Sequence, residues 1–158
     1  MFLAALILIV STALLLFYLQ AICQRILRRQ FNQEYYQVIV NANRLEFLAI
    51  RQGIEKFDTP VDYARVRMTL KCDFLALTYL LKNAANARQR YSRQEWLLIL
   101  YFRATLFWLF LRQALRLQVT PAVLRLTTIL QYFANVVGER VSMIRFGNLS
   151  ASDYLLNL

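Results

Sequence analysis

Hydrophobic side chains fill the start of the chain without a single charge among them. Met1 to Leu19 is apolar except for Ser11 and Thr12, and after Gln20 the run resumes through Ala21, Ile22 and Cys23. A helix needs about 20 apolar residues to cross roughly 30 Å of hydrocarbon, so the pattern predicts a transmembrane anchor over residues 1–23. A cleavable signal peptide would call for basic residues before the run and a small-x-small site after it. The chain instead opens Met1–Phe2–Leu3 and leaves the run through Tyr18–Leu19–Gln20, which favours an uncleaved anchor. Arg25, Arg28 and Arg29 follow at once. The positive-inside rule then puts the downstream chain in the cytoplasm and the N-terminus outside, a single pass through a plasma (inner) membrane with these three arginines at the headgroups.

Beyond the anchor the apolar residues recur at helical rather than strand spacing. Phe31, Tyr35, Val38, Ala42, Leu45 and Ala49 follow a three-four pattern, and nothing between Gln20 and Gly53 is a helix breaker. The anchor is therefore expected to run on unbroken to a stop at Gly53–Asp58. Thr59, Pro60 and Asp62 then mark a new start, with Thr59 as cap, Pro60 at the first position and Asp62 at the third. Its apolar stripe is Val61, Ala64, Met68, Cys72, Leu75 and Tyr79. Ser92-x-x-Glu95 is a capping box before a third helix. Thr120–Pro121 opens a fourth, whose stripe is Ala122, Leu126, Ile129, Phe133 and Val136 with Val123, Leu130 and Val137 alongside, and Gly147 is its expected stop.

The expected fold is all-α. An N-terminal transmembrane helix continues into a cytoplasmic bundle of about four helices (24–57, 60–89, 93–117 and 121–146), followed by a tail over 148–158 with one further turn around Ser152–Asp153–Tyr154. The third helix can be read two ways. From Trp96 to Leu111 only Arg103 and Thr105 are polar, and a helix apolar all round is buried on every side or sits in lipid. Basic residues at both ends (Arg88, Arg90, Arg93, then Arg112 and Arg116) and the visible amphipathicity of the fourth helix favour a buried or interfacial helix. A membrane hairpin of the third and fourth helices is the alternative.

Composition sharpens this picture. Apolar residues make up 59% of the 158, beyond the 45–50% of an average soluble domain. Nineteen basic residues, 16 of them Arg, stand against nine acidic ones for a net charge of +10, and there is no His. Without His, the usual general base and the commonest metal ligand are missing. The carboxylates are scattered, and no Gly-rich phosphate loop or nucleophile elbow occurs. Cys23 and Cys72 cannot complete a four-ligand zinc site. Cys23 stands at the membrane boundary, where acylation is chemically feasible, and Cys72 on its stripe reads as a small core residue. No enzyme, cofactor or metal site and no small-molecule substrate is expected. Asp73 is the least explained acid, expected to pair with an Arg of another helix or to serve a site, and Glu46 is expected to pair on the surface with Arg44 or Arg51.

The arginines and aromatics carry what remains. Arg88, Arg90, Tyr91 and Arg93 gather before the third helix, and Trp96, Arg103, Trp108, Arg112 and Arg116 lie along or just after it. Exposed aromatic and arginine surfaces are what interface hot spots are made from, and Arg suits desolvated ion pairs better than Lys. These residues are the candidate partner contacts of a non-catalytic, membrane-anchored subunit or scaffold. Its expected partners are membrane lipid and other membrane-protein subunits, or a second copy. A membrane-tethered adaptor for nucleic acid or anionic lipid is the alternative, and a multi-span transport or channel component with Arg103 in the bilayer is a third reading.

Overall fold

The computed structural model describes the backbone of residues 2–31, 33–56, 62–84 and 91–156; the side chains of 84 and of 144–156 are left aside. Among the described residues the chain is all helical, with no strand. Six helices follow one another: α1 (Phe2–Leu27), α2 (Tyr36–Asn43), α3 (Phe47–Lys56), α4 (Tyr63–Ala84), α5 (Arg93–Ala114) and α6 (Thr120–Leu156).

α1 is long and apolar enough to cross a membrane. Its 26 residues span about 39 Å at 1.5 Å per residue. Residues 2–18 are exposed, whereas Leu19, Cys23, Ile26 and Leu27 pack on the helical body. The unbroken continuation expected through Gly53 is not what forms. α1 stops at Leu27, and two short helices replace the rest.

Both breaks are held by polar side chains reaching in from distant helices. The buried Asn135 of α6 accepts the backbone N–H groups of Tyr35 and Tyr36 through its Oδ1, each at 2.9 Å, and so caps α2. Asp73 of α4 does the same for α3: its Oδ2 accepts from Glu46 N at 3.0 Å and Phe47 N at 2.8 Å. The first four N–H groups of a helix need such acceptors. Between the two, Arg44 takes a left-handed conformation (φ 52°) that ends α2, and Leu45 N donates back to the Val40 carbonyl. α3 then runs through Gly53 to Lys56, so that glycine does not end it.

The remaining helix starts are local. Asp62 caps α4 with its own carboxylate, accepting from Ala64 N and Arg65 N, rather than sitting inside the first turn. Thr59 and Pro60 lie outside the described residues. The capping box at α5 forms in full: Glu95 N donates to Ser92 Oγ, and Ser92 N donates to Glu95 Oε2. α6 begins where Thr120–Pro121 placed it, with Val119 O accepting the first helical N–H groups. Its helix continues past Gly147 to Leu156. One helical glycine costs only about 1 kcal/mol relative to alanine, too little to end a helix by itself.

α6 is the centre of the fold and touches each of the other five helices. Every residue of its expected stripe is buried, from Ala122 to Val137. Phe74 of α4 stacks on Phe102 of α5 at 4.0 Å between ring centres, and Phe133 of α6 meets Phe74 edge-on at 6.1 Å. Arg67 of α4 lies over Phe110 of α5, so α4 and α5 run antiparallel. α1 runs antiparallel to α5 as well. Its Leu16, Leu19 and Gln20 share a cleft with Trp108 and Arg112, while Gln24 and Leu27 share one with Tyr101. The end of α5 and the start of α6 therefore point the same way as the apolar half of α1.

Candidate interaction surface

The expected core stripe of α4 faces outward. Val66, Leu70, Phe74, Leu77 and Leu81 are its buried positions, whereas Ala64, Met68, Cys72, Leu75 and Tyr79 are exposed. Met68 is 63% exposed, Leu75 55% and Tyr79 69%. Cys72 is accordingly a surface thiol rather than a core residue. The four residues Met68, Cys72, Leu75 and Tyr79 are spaced four, three and four apart, the seam that one helix offers another. This contiguous apolar stripe has no covering element among the described residues.

α5 carries a second uncovered strip. It buries Leu98, Tyr101, Phe102, Thr105 and Leu109 on α4 and α6, and leaves Trp96, Leu100, Arg103, Phe107 and Phe110 on the outside at the same four-three repeat. α5 is thus neither buried on all sides nor bare. It is long and apolar enough to cross a membrane but has one face in the core.

The candidate residues named from the sequence do not form one patch. Tyr91, Arg93 and Trp96 stand at the start of α5, where the Tyr91 hydroxyl donates to the Thr78 carbonyl at 3.3 Å. Trp108, Arg112 and Arg116 stand at its other end, with Arg103 exposed between. Twelve residues of helix separate Trp96 from Trp108, about 18 Å. Arg88 and Arg90 lie outside the described residues. Arg116 takes a left-handed conformation (φ 54°) just past the end of α5. Of the membrane-flanking trio, Arg25 and Arg28 are exposed. Arg29 turns to the body instead, pairing with Glu139 of α6 at 3.4 Å and lying over the Phe31 ring.

Several polar groups have structural duties that the sequence did not reveal. Among the described residues Asp73 pairs with no arginine; its carboxylate is the cap of α3. Burial pushes this carboxyl above its ordinary value, outweighing the two N–H donors that favour its charge. The folded state therefore holds a proton between the unfolded and folded values, and stability falls as pH rises through that window. Thermal unfolding of Asp73→Asn beside the parent is expected to show this: the parent gains on the variant as pH is lowered into the carboxylate range. Asp73→Ala, which leaves both N–H groups without their acceptor, is expected to cost about 2 kcal/mol at neutral pH. Arg51 pairs with Glu55 at 3.1 Å and donates to Gln131 at 2.8 Å, so the expected surface pairing with Glu46 does not form. Arg140 bridges Glu95 and the Leu81 carbonyl. Cys23 is fully buried against the body, which removes it as an acylation site.

Clefts line the junction of α1 with the body. A polar one of about 460 Å³ is lined by Arg29, Arg51, Gln131, Tyr132 and Asn135, whose polar groups already have partners within the protein. Burial raises the Tyr132 phenol above its ordinary value against the pull of Arg29. The second, about 260 Å³, lies between the foot of α1 and the α5–α6 corner. No three His, Cys, Asp or Glu side chains converge on a metal-sized space among the described residues. In comparison with known proteins, no family model, no curated protein and no solved structure matches this chain.

Proposed function

We propose that this protein is a non-catalytic, membrane-anchored helical subunit or scaffold of a larger membrane assembly. α1 serves as its single span, the N-terminus lies outside, and α2–α6 form a cytoplasmic body against a plasma (inner) membrane. The observation that carries the reading is the outward apolar stripe Met68–Cys72–Leu75–Tyr79. A body that already has a core has no use for a second helix-spaced seam unless another helix covers it, and exposed apolar patches on this pattern mark protein contacts. The occupant is an apolar helix of another subunit. Arg25 and Arg28, exposed just past the span, support the orientation. The single pass is supported by the side-by-side placement of α5 with residues 16–28 of α1 rather than with residues 2–15, which leaves α5 mostly below the hydrocarbon.

Leu75→Glu tests the reading. At an exposed position the change is expected to move stability by no more than about 0.5 kcal/mol, while a charge in the middle of an apolar seam costs about 2 kcal/mol or more of binding. The variant should extract from membranes folded and in normal amount, with its co-purifying protein lost. A parent protein that emerges from gentle detergent as a lone monomer would overturn the proposal.

A further inference from the structure

We infer that the cleft at the foot of α1 is a binding site for one anionic phospholipid, its phosphate held by Arg112 and Arg125 and an acyl chain laid along Leu16, Leu19 and Trp108. The inference rests on α1 being the membrane span. The cleft is lined on one side by α1 and on the other by the end of α5 and the start of α6, and no acidic residue is among its walls. Arg112 is its most telling member. Its Nε is buried and has no hydrogen-bond partner, and a buried charged donor of this kind calls for an acceptor. Neither Arg112 nor Arg125 has a carboxylate within ion-pair distance among the described residues.

Level and shape select a lipid over a free phosphate. Leu16 and Leu19 belong to the apolar run of the span, so the wall of the cleft continues directly into the hydrocarbon. With the span beginning near the start of α1, about 20 residues bring the chain to the far edge of the hydrocarbon, which is the level of Gln20 and of the cleft. Arg125 then stands in the headgroup layer, and Arg112, one turn deeper than Trp108 on the antiparallel α5, reaches that layer because helical side chains lean back toward the preceding turn. A neighbouring cleft of about 350 Å³ shares Arg125 and adds Arg28, so a further guanidinium stands on the cytoplasmic side of the site. Planar, forked donors suit a phosphodiester.

Trp108 supplies the readout. The full chain with Trp96→Phe, which leaves Trp108 as the one tryptophan, is placed in phosphatidylcholine nanodiscs. These contain a small fixed fraction of dibrominated phosphatidylglycerol or, in parallel, of dibrominated phosphatidylcholine. Bromines on the anionic lipid are expected to quench Trp108 more strongly at equal fraction. Arg112→Gln and Arg125→Gln should each weaken that preference about fivefold and together abolish it, while quenching by the brominated phosphatidylcholine persists. Arg112→Lys, which keeps the charge but not the fork, should retain more of the preference than Arg112→Gln and controls for folding. Equal quenching by the two lipids overturns the site, as does removal of the excess by soluble glycerol phosphate. Failure of the protein to float with the nanodiscs overturns instead the membrane reading beneath it.

Discussion

Replacing Arg140 with methionine is expected to destabilise the protein by about 3–5 kcal/mol, the cost of stranding a buried charge. Glu95 is 93% buried by side chain, its exposure being 7%, and Arg140 is nearly as enclosed at 19%. The Glu95 carboxylate serves two masters: one oxygen completes the α5 capping box with Ser92 N, and the other accepts from Arg140. Arg140 also donates to the carbonyl of Leu81 at 3.2 Å, one of the last-turn acceptors of α4. A single side chain of α6 thus ties the end of α4 to the start of α5. Methionine fills the space but satisfies neither acceptor. Adding Glu95→Gln to Arg140→Met should recover part of the loss, since a neutral amide oxygen still caps and no charge is left unpaired. Denaturant unfolding of the parent, the two single variants Arg140→Met and Glu95→Gln, and the double variant in one detergent measures the coupling. Equal stability of parent and Arg140→Met would show that the bridge carries no weight.

Gly138→Ala is expected to cost about 3 kcal/mol, at or above the top of the range for overpacked cores. A Cβ at this position in α6 would stand 2.1 Å from Tyr35 Cβ and 2.8 Å from Tyr35 Cγ. Those atoms cannot swing aside as the tip of a flexible side chain would. Cβ moves only with the backbone, and the Tyr35 backbone is pinned by its hydrogen bond to Asn135. The chain segment entering α2 would have to lift off α6. Gly53→Ala makes the contrast, because nothing lies within 4 Å of its missing Cβ. In the middle of α3 that change is expected to stabilise by up to about 1 kcal/mol. Opposite shifts of the unfolding midpoint in the two variants are the expected result; a gain in both would mean that α2 does not seat on α6 in this way.

How far along the chain each stabilising contact reaches explains why part of the fold was legible in the sequence and part was not. α1, the α5 capping box and the α6 stripe were legible because each signal is local: a charge-free run, Ser92 three residues before Glu95, and apolar residues at helical spacing. The breaks after Leu27 and Asn43 were not, because their caps come from Asn135 and Asp73, far along the chain. Local propensity alone continues the helix there, and tertiary hydrogen bonds override it. α4 was misread for a different reason. It has two interleaved apolar faces, and periodicity cannot say which one turns inward. The partner contacts proposed along α5 were legible as residue types but not as a surface, because the antiparallel packing divides them between two ends of the body.

The central claim is that the outer seam of α4 is covered by another protein helix at the membrane. Photo-crosslinking from position 75 in native membranes tests it most directly, with position 65, exposed near the start of α4 and about 80° round the helix from Leu75, as the comparison. The account predicts a discrete protein adduct from position 75, identifiable by mass, and little or none from position 65. Protein adducts equally abundant from both positions, or none from position 75 in membranes that retain the protein, would contradict it.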